Sequence, residues 1–268
     1  MIAFLLFTTF TATVLAELEL QPSSTAGRVV GGTHVQYHNS WPWQVYIQDY
    51  YDGSYHLLCG GTLIKRRWVM TAAQCVYSYS RLRVVLGDVV WNNHFGSEQT
   101  RDVGAIFVHP EWNYNSISSG NDIALLQLSS DVSLTSYVNL ANLPKSGEIL
   151  PNNLSCYITG FGYTSTGGSL PNHLMQAVLR IVDHQTCTSF GWWGSTVKTT
   201  MICAGGSTAS GCNGDFGGPL NCQVNGSWYV HGIASFVSAM GCNTPQKPTV
   251  FTRVSAYITW INSVINSS

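Results

Sequence analysis

The chain has 268 residues, of which 45% are hydrophobic and only 9% are charged, and its formal net charge is −1. This composition is typical of a globular protein with a sizeable core, and it excludes a disordered or acidic-tail protein. The one clear basic run is residues 65–67, so neither nucleic acid nor an anionic membrane is an expected partner.

The first 28 residues carry two processing signals. Residues 1–16 form an apolar run that ends in small residues, which is typical of a secretory signal peptide. A membrane anchor is the alternative, but the run is shorter than the roughly 20 residues that a spanning helix needs. Residues 17–28 are polar and aperiodic and end at Arg28. A flexible segment that ends in Arg is a natural site for tryptic cleavage before Val29.

Short runs of apolar and β-branched residues then recur between turn residues, for example at 43–47, 83–86 and 123–128. This pattern predicts an all-β sandwich or barrel. The spacing changes near the end, where apolar residues from Tyr257 to Ile265 recur at helical intervals. We therefore expect a C-terminal amphipathic helix that packs on the β body.

Eight cysteines lie beyond the apolar run, and their even number predicts up to four disulfides in a secreted chain. The sequence alone leaves their pairing open. A zinc site is disfavoured because the chain has no CxxC pair and no His pair at ligand spacing.

Ordered motifs along the chain point to one family. They are VVGG at 29–32, SWPWQ at 40–44, CGGTLI at 59–64, DIALL at 122–126 and GGPL at 217–220. Together they resemble the trypsin-like serine proteases, and the closing stretch 247–262 resembles the pancreatic elastases. The resemblance covers the chain from Val29 to its C-terminus.

This resemblance implies two packed six-stranded antiparallel barrels, with the active cleft between them and a C-terminal helix. It also implies a secreted monomer in which residues 17–28 are an activation propeptide and residues 29–268 are the protease domain. A trypsin-like protease would then be the activating partner. The implied disulfide pairs are Cys59–Cys75, Cys156–Cys222, Cys187–Cys203 and Cys212–Cys242.

Two positions depart from the family pattern at the reaction centre. Where the family has TAAHC and GDSGGP, the chain has TAAQC at 71–75 and GDFGGP at 214–219. The family mechanism needs a Ser nucleophile, a His base and an Asp that orients the His. By resemblance Asp122 is retained, Gln74 replaces the His and Phe216 replaces the Ser. An amide is not a useful base near neutral pH, and Phe has no hydroxyl, so we predict an inactive homologue.

Both replacements carry structural expectations. We expect Gln74 to donate to the buried carboxylate of Asp122, the alternative being a side chain turned into solvent. Phe216 could fill the adjacent primary pocket, because burial of a Phe side chain gains about 1.5–3 kcal/mol. A replacement triad built from His56 and Ser235 is disfavoured because neither lies in a triad motif.

The resemblance assigns further roles around these two positions. The backbone N–H groups of Gly214 and Phe216 would form the oxyanion hole. After cleavage, the new ammonium group of Val29 would pair with Asp215 in a low-dielectric interior.

The primary pocket would be formed by Ser210, Val237 and Thr249, and it would admit small apolar side chains. The strand at Ser235 would offer backbone hydrogen bonds to an extended peptide, whether a substrate or a protease inhibitor. The alternative is that these are ordinary packing residues.

A calcium loop is a further expectation, with Asp88 and Glu98 as oxygen ligands. Phe95 stands where the family has a side-chain ligand, so a solvated surface loop is the alternative.

Three functions are compatible with the sequence. The first is a secreted elastase-like homologue that binds peptides or inhibitors without cutting them. The second is a digestive elastase-type endopeptidase that cleaves after small apolar residues, its two changes being due to error, recent decay or engineering. The third is a decoy that sequesters protease inhibitors.

Overall fold

The structure is a computed structural model that describes residues 30–79, 81–90 and 96–267. The expected signal peptide, the expected propeptide and Val29 lie outside the described residues. Within the described part, almost all regular structure is antiparallel β-sheet.

Six strands of the N-terminal half close into a barrel. The strands of this half are β1 (Thr33–His34), β2 (Gln44–Tyr51), β3 (Ser54–Lys65), β4 (Trp68–Thr71), β5 (Leu82–Leu86), β6 (Gln99–Val108) and β7 (Ala124–Leu128). The closed order is β2-β3-β4-β7-β6-β5. This first barrel closes through the pairing of β5 with β2.

Six strands of the C-terminal half form the second barrel. They are β8 (Ser155–Gly160), β9 (Met175–Val182), β10 (Met201–Ala204), β11 (Pro219–Val224), β12 (Ser227–Phe236) and β13 (Thr249–Arg253). Their order is β9-β10-β13-β12-β11-β8, and β8 pairs back with β9 to close the ring. The short strand β1 adds to the start of β9, where Thr33 lies opposite Gln176. The predicted architecture of two six-stranded antiparallel barrels is confirmed.

The predicted C-terminal helix is also present. Helix α1 is the single turn His184–Cys187, and helix α2 runs from Ile258 to Ser267. Ile261 of α2 is buried in the core of the first barrel, so this helix packs against the opposite half of the chain. Among the helices that the structure describes, none is both long enough and apolar enough to cross a membrane.

One apolar core fills the first barrel and reaches β12 of the second through Val230 and Ile233, and the second barrel has a further core of its own. Buried polar contacts also join the two halves. In β9, buried residues alternate with more exposed ones, as expected for a strand with one face on the core. Between the barrels, the Trp43 indole N–H donates to Asn221 Oδ1 at 2.7 Å. The Thr159 hydroxyl likewise donates to Gln44 Oε1 at 2.6 Å. These bonds fix the relative position of the two halves beside the cleft.

The structure contains the four disulfides that the resemblance implies, and two of them hold segments of the candidate site. The Cys59–Cys75 bridge ties β3 to the short turn that carries Gln74. The Cys212–Cys242 bridge closes a sequence separation of 30 residues beside Ser210. Each such bridge contributes on the order of 2–4 kcal/mol. The other two pairs are Cys156–Cys222 and Cys187–Cys203.

Candidate active site

Strand pairing brings Gln74 and Asp122 together. Strand β4 is followed by a single turn of 3₁₀ helix, Ala73–Cys75, that carries Gln74. Asp122 lies just before β7, and β7 pairs with β4 so that Ala124 lies opposite Thr71. Adjacent strand ends therefore place the two side chains at the same edge of the first barrel.

Gln74 lies with its amide nitrogen between two acceptors. Its Nε2 donates to Asp122 Oδ2 at 2.7 Å and to the backbone oxygen of Ser235 at 2.6 Å. The backbone N–H of Gln74 also donates to Asp122 Oδ1 at 2.9 Å. Because both partners of the side chain are acceptors, the nitrogen and not the oxygen of the amide must face them. The expected contact with Asp122 is present, and the solvent-facing alternative is not.

The carboxylate of Asp122 is held by neutral donors. Asp122 is 1% exposed, and Ser235 Oγ donates to its Oδ2 at 2.6 Å. Burial raises the pKa of Asp122 to about 6, although donors on Ser235, Gln74 and Ala73 oppose this rise. The site therefore contains a buried carboxylate that depends on each of its hydrogen bonds.

Replacement of Gln74 by Leu should destabilise the protein, because Asp122 loses a side-chain donor in a buried site. We expect a loss of about 1–3 kcal/mol in the free energy of unfolding, measured by urea denaturation at pH 7. Gln223→Leu is the matched control, since Gln223 is exposed and donates only to the Gly226 carbonyl. Equal stability of the two variants would contradict the proposed dependence of Asp122 on Gln74.

The segment around Phe216 is tightly wound. Gly214 has a φ of +93°, and a Cβ there would lie 2.9 Å from the Cα of Gly162, so only glycine fits. The Phe216 carbonyl accepts from the Gly60 N–H at 2.8 Å, which ties the segment to the first barrel. Among the described residues, the N–H groups of Gly214 and Phe216 donate to no other backbone group. The oxyanion hole that these two N–H groups would form stays a prediction.

The side chain of Phe216 occupies the floor between the barrels. It is half-buried, and it packs against the core of the first barrel. It also lines a cleft of about 320 Å³ together with Gln74, Ser235 and Val237. The aromatic ring of Phe216 therefore occupies the position at which the family has the small hydroxyl side chain of Ser.

The base of the expected primary pocket is closed by its own hydrogen bonds. Ser210 and Thr249 are 0% and 1% exposed, and neither lines the cleft that contains Phe216. Ser210 Oγ contacts Thr249 Oγ1 at 3.2 Å and also donates to the backbone oxygen of Cys242. Of the expected pocket residues, the structure brings Ser235 and Val237 to the open cleft and leaves the other two beneath it.

Asp215 is a second buried carboxylate, 0% exposed, close to the cleft. It accepts from the backbone N–H groups of Gly162 at 2.9 Å and Cys212 at 3.0 Å. Burial raises the pKa of Asp215 to about 7, against these two donors. A Cβ at Gly162 would lie 2.4 Å from Asp215 Cγ, so the carboxylate lies directly against this glycine.

The expected partner of Asp215, Val29, lies outside the described residues. Its neighbour Val30 accepts a hydrogen bond from the Ser210 N–H at 3.2 Å.

The expected calcium ligands already have protein partners. Asp88 accepts from the Tyr46 hydroxyl at 2.8 Å and from the Val90 N–H at 2.9 Å. Glu98 accepts from the Gly96 N–H at 2.8 Å. No group of three or more His, Cys, Asp or Glu side chains suited to a metal occurs among the described residues. Carboxylate oxygens have further lone pairs, but residues 91–95 lie outside the described part, so calcium binding here stays a prediction.

Two aspects of the site were not foreseen. The sequence predicts that the strand at Ser235 offers backbone hydrogen bonds to a peptide, yet the Ser235 hydroxyl donates to Asp122 and its carbonyl accepts from Gln74. His56, the disfavoured alternative base, stacks on Tyr51 at 3.9 Å and contacts Ser54 Oγ at 2.8 Å within its own hairpin. No local sequence signal marks the contacts of Ser235, because its partners are distant along the chain.

Comparisons with known proteins agree with the fold and the motifs. The Trypsin family model matches residues 29–261. Chymotrypsin-like elastase family member 1 of Bos taurus is 56% identical over 245 residues, which is 91% of this chain and 92% of that protein. The Rattus norvegicus protein of the same name is 57% identical over 242 residues, or 90% and 91% of the two chains.

A further relative extends the match. Proproteinase E of Bos taurus is 54% identical over 250 residues, covering 92% of this chain and 98% of that protein. The two barrels, their disulfides and the full-length similarity lead to one conclusion: the chain belongs to the trypsin-like serine proteases and is elastase-like within them.

Proposed function

We propose that this chain is a secreted elastase-like homologue that binds peptides or protease inhibitors without cutting them. Membership of the protease family implies peptide or protein substrates or inhibitors as the class of ligand. Loss of cleavage is inferred from the chemistry of the residues at the centre of the cleft.

The amide nitrogen of Gln74 carries this proposal. A general base must accept the proton of the nucleophile and later return it to the leaving group. In Gln74 the atom that faces Asp122 and Ser235 is a nitrogen that only donates. The remaining amide oxygen does not gain a proton near neutral pH, so proton transfer has no carrier at this position.

No neighbouring hydroxyl substitutes for the missing nucleophile in this proposal. The nearest candidate, Ser235, is 3% exposed, and its hydroxyl proton is directed to Asp122. Phe216 supplies only carbon atoms and adds bulk to the floor of the cleft. An acyl-enzyme intermediate therefore has no atom on which to form.

Peptide binding can persist without cleavage. Residues from Ser235 to Ser238 line the cleft at the end of β12, and an extended peptide can add to such an edge through backbone hydrogen bonds. The N–H groups of Gly214 and Phe216 would bind a peptide carbonyl at the same place. These groups belong to the backbone, so they survive the loss of the two catalytic side chains.

Activation by cleavage after Arg28 is part of the proposal. The new ammonium group of Val29 would give Asp215 the charged partner that its buried carboxylate lacks among the described residues. Support comes from the bridge of Val30 to Ser210 and from the position of Asp215 beside the Gly162 and Cys212 N–H groups.

A turnover assay tests the proposal. The secreted chain is cleaved with trypsin, freed of trypsin and incubated with an Ala-containing elastase peptide. We expect no detectable hydrolysis, together with saturable binding of an elastase inhibitor that does not react covalently. Hydrolysis that persists after removal of contaminating proteases would instead support a digestive endopeptidase that cleaves after small apolar residues.

A further inference from the structure

A second cavity, of about 300 Å³, opens on the C-terminal barrel. It shares no lining residue with the cleft that contains Phe216. Its walls come from four stretches of chain: the segment before β8, the end of β9 with helix α1, the loop that leads into β10 with β10 itself, and the end of β13. The apolar lining residues include Ile149, Leu150, Val182, Val197, Met201 and Ile202.

The walls of this cavity are suited to an aliphatic group. Leu150, Val197, Met201 and Ile202 are all at least nine-tenths buried, whereas Ile149 is 69% exposed at the mouth. Small-molecule sites are mainly apolar, with a few polar groups that orient the ligand, and they begin at roughly 300 Å³. The cavity therefore has the size and lining for one medium-length alkyl chain.

One cationic side chain, Arg253, lines the same cavity. Its Nε and Nη2 donate to the Thr199 carbonyl at 3.0 Å and 2.8 Å, and its Nη1 donates to Ser255 Oγ at 2.8 Å. These partners are neutral, and the bonds use three of the five N–H groups that a guanidinium carries. One N–H remains on each terminal nitrogen, which is the pair that binds a carboxylate in bidentate fashion.

The other charged group of the lining does not neutralise Arg253. Asp183 uses Oδ1 to accept from the Thr186 N–H at 2.8 Å and Oδ2 to accept from the Thr186 hydroxyl at 3.0 Å. Its carboxylate therefore caps helix α1 rather than pairing with the guanidinium. Its negative charge also disfavours ligands that carry more than one negative charge.

We propose that this cavity binds a medium-chain aliphatic carboxylate. The alkyl chain lies against Val182, Val197 and Met201, and the carboxylate accepts from the two terminal nitrogens of Arg253. An uncharged chain of the same length leaves the guanidinium without a counter-charge, and a cationic chain is repelled by it.

Titration with octanoate tests the proposal, with 1-octanol as a probe of the same chain length. Binding to the full secreted protein is followed by calorimetry and by NMR of labelled Ile and Met methyl groups. We expect saturable shifts at Ile149, Ile202 and Met201, and octanoate affinity about tenfold or more above that of octanol. Equal affinities, or shifts that never saturate at these methyls, would overturn the proposal.

Two variants locate the carboxylate. Arg253→Gln should weaken the affinity for octanoate about tenfold or more and leave the affinity for octanol unchanged. Arg180→Gln, which alters an exposed arginine on β9, should change neither affinity. If Arg253→Gln proves unstable, Ile149→Glu serves instead, because it adds a repelling charge at an exposed position of the mouth. Unchanged octanoate affinity in folded Arg253→Gln would exclude Arg253 as the carboxylate partner, and unchanged octanoate affinity in folded Ile149→Glu would exclude this cavity as the binding site.

Discussion

Restoring both catalytic side chains, with Gln74→His and Phe216→Ser in one variant, should turn a protein without detectable turnover into a working peptidase. Asp122 lies within hydrogen-bond distance of residue 74, and the N–H groups of Gly214 and Phe216 donate to no other backbone group among the described residues. Loss of triad members costs roughly 10⁴–10⁶ in turnover. We expect the double variant to regain a rate of that order over the parent.

The two single variants should regain almost no peptidase activity. Gln74→His supplies a base with no hydroxyl to act on, and Phe216→Ser supplies a hydroxyl with no base. Triad members act as a unit, so the two effects are far from additive. The measurement is the steady-state hydrolysis of an Ala-containing peptide by each trypsin-cleaved variant.

The matched control is Gln74→His with Phe216→Ala, which has the same base and removes the same bulk but lacks the hydroxyl. Activity in this control would reveal a contaminating protease. A folded double variant that neither hydrolyses the peptide nor reacts with a serine-directed inhibitor would show that other parts of the cleft have also lost function.

The parts of the site that depend on neighbouring strands could be predicted from the sequence, and the parts that depend on distant ones could not. The motif around Asp122 and the turn at Gln74 lie at the ends of paired strands, so their contact follows from the family fold. Ser235 is 161 residues from Gln74 and 113 residues from Asp122. Only the closure of the second barrel against the first brings its carbonyl and hydroxyl to these partners.

The second cavity also could not be predicted from the sequence, because distant segments of the chain form it. Its lining comes from Ile149, from both ends of the β9–β10 connection and from Arg253 at the end of β13. Each of these residues alone is an ordinary strand or loop residue. The unused N–H groups of Arg253 become evident only when the Thr199 carbonyl and the Ser255 hydroxyl are seen to take the other three.

Before cleavage after Arg28, the protein should lose stability as the pH rises from about 4 to about 7. Burial raises the pKa of Asp122 to about 6 and that of Asp215 to about 7, from an ordinary value of 3.8 for each. Between these values the native state holds protons that the unfolded state has released. The stabilisation from protonated Asp122 and Asp215 is thus complete below the unfolded pKa, and it is lost as the pH rises through the folded pKa of each group.

Asp215→Asn isolates the contribution of Asp215, because the half-buried His109 and the buried His231 have lowered pKa values and titrate with the opposite sign. The difference in unfolding free energy between parent and variant should change by on the order of 1.4 kcal/mol per pH unit between about pH 5 and 7. Urea denaturation at several pH values measures it. A difference that is independent of pH would mean that Asp215 does not titrate in this range.

Cleavage after Arg28 should remove the fall in stability that Asp215 causes between about pH 5 and 7. At acidic pH the contribution of Asp215 should then increase with pH instead of decreasing. An ammonium group beside Asp215 favours the ionised carboxylate, so the pKa of Asp215 falls below its unfolded value instead of rising above it. Its stabilisation is then present above the unfolded pKa and is lost only at acidic pH, while the paired ammonium, whose own pKa is raised, loses its contribution at alkaline pH. The cleaved protein should therefore gain stability over the uncleaved protein at pH 7 and lose that advantage in Asp215→Asn. An identical slope before and after cleavage would show that the Val29 ammonium group does not reach Asp215, and that cleavage no longer orders the cleft.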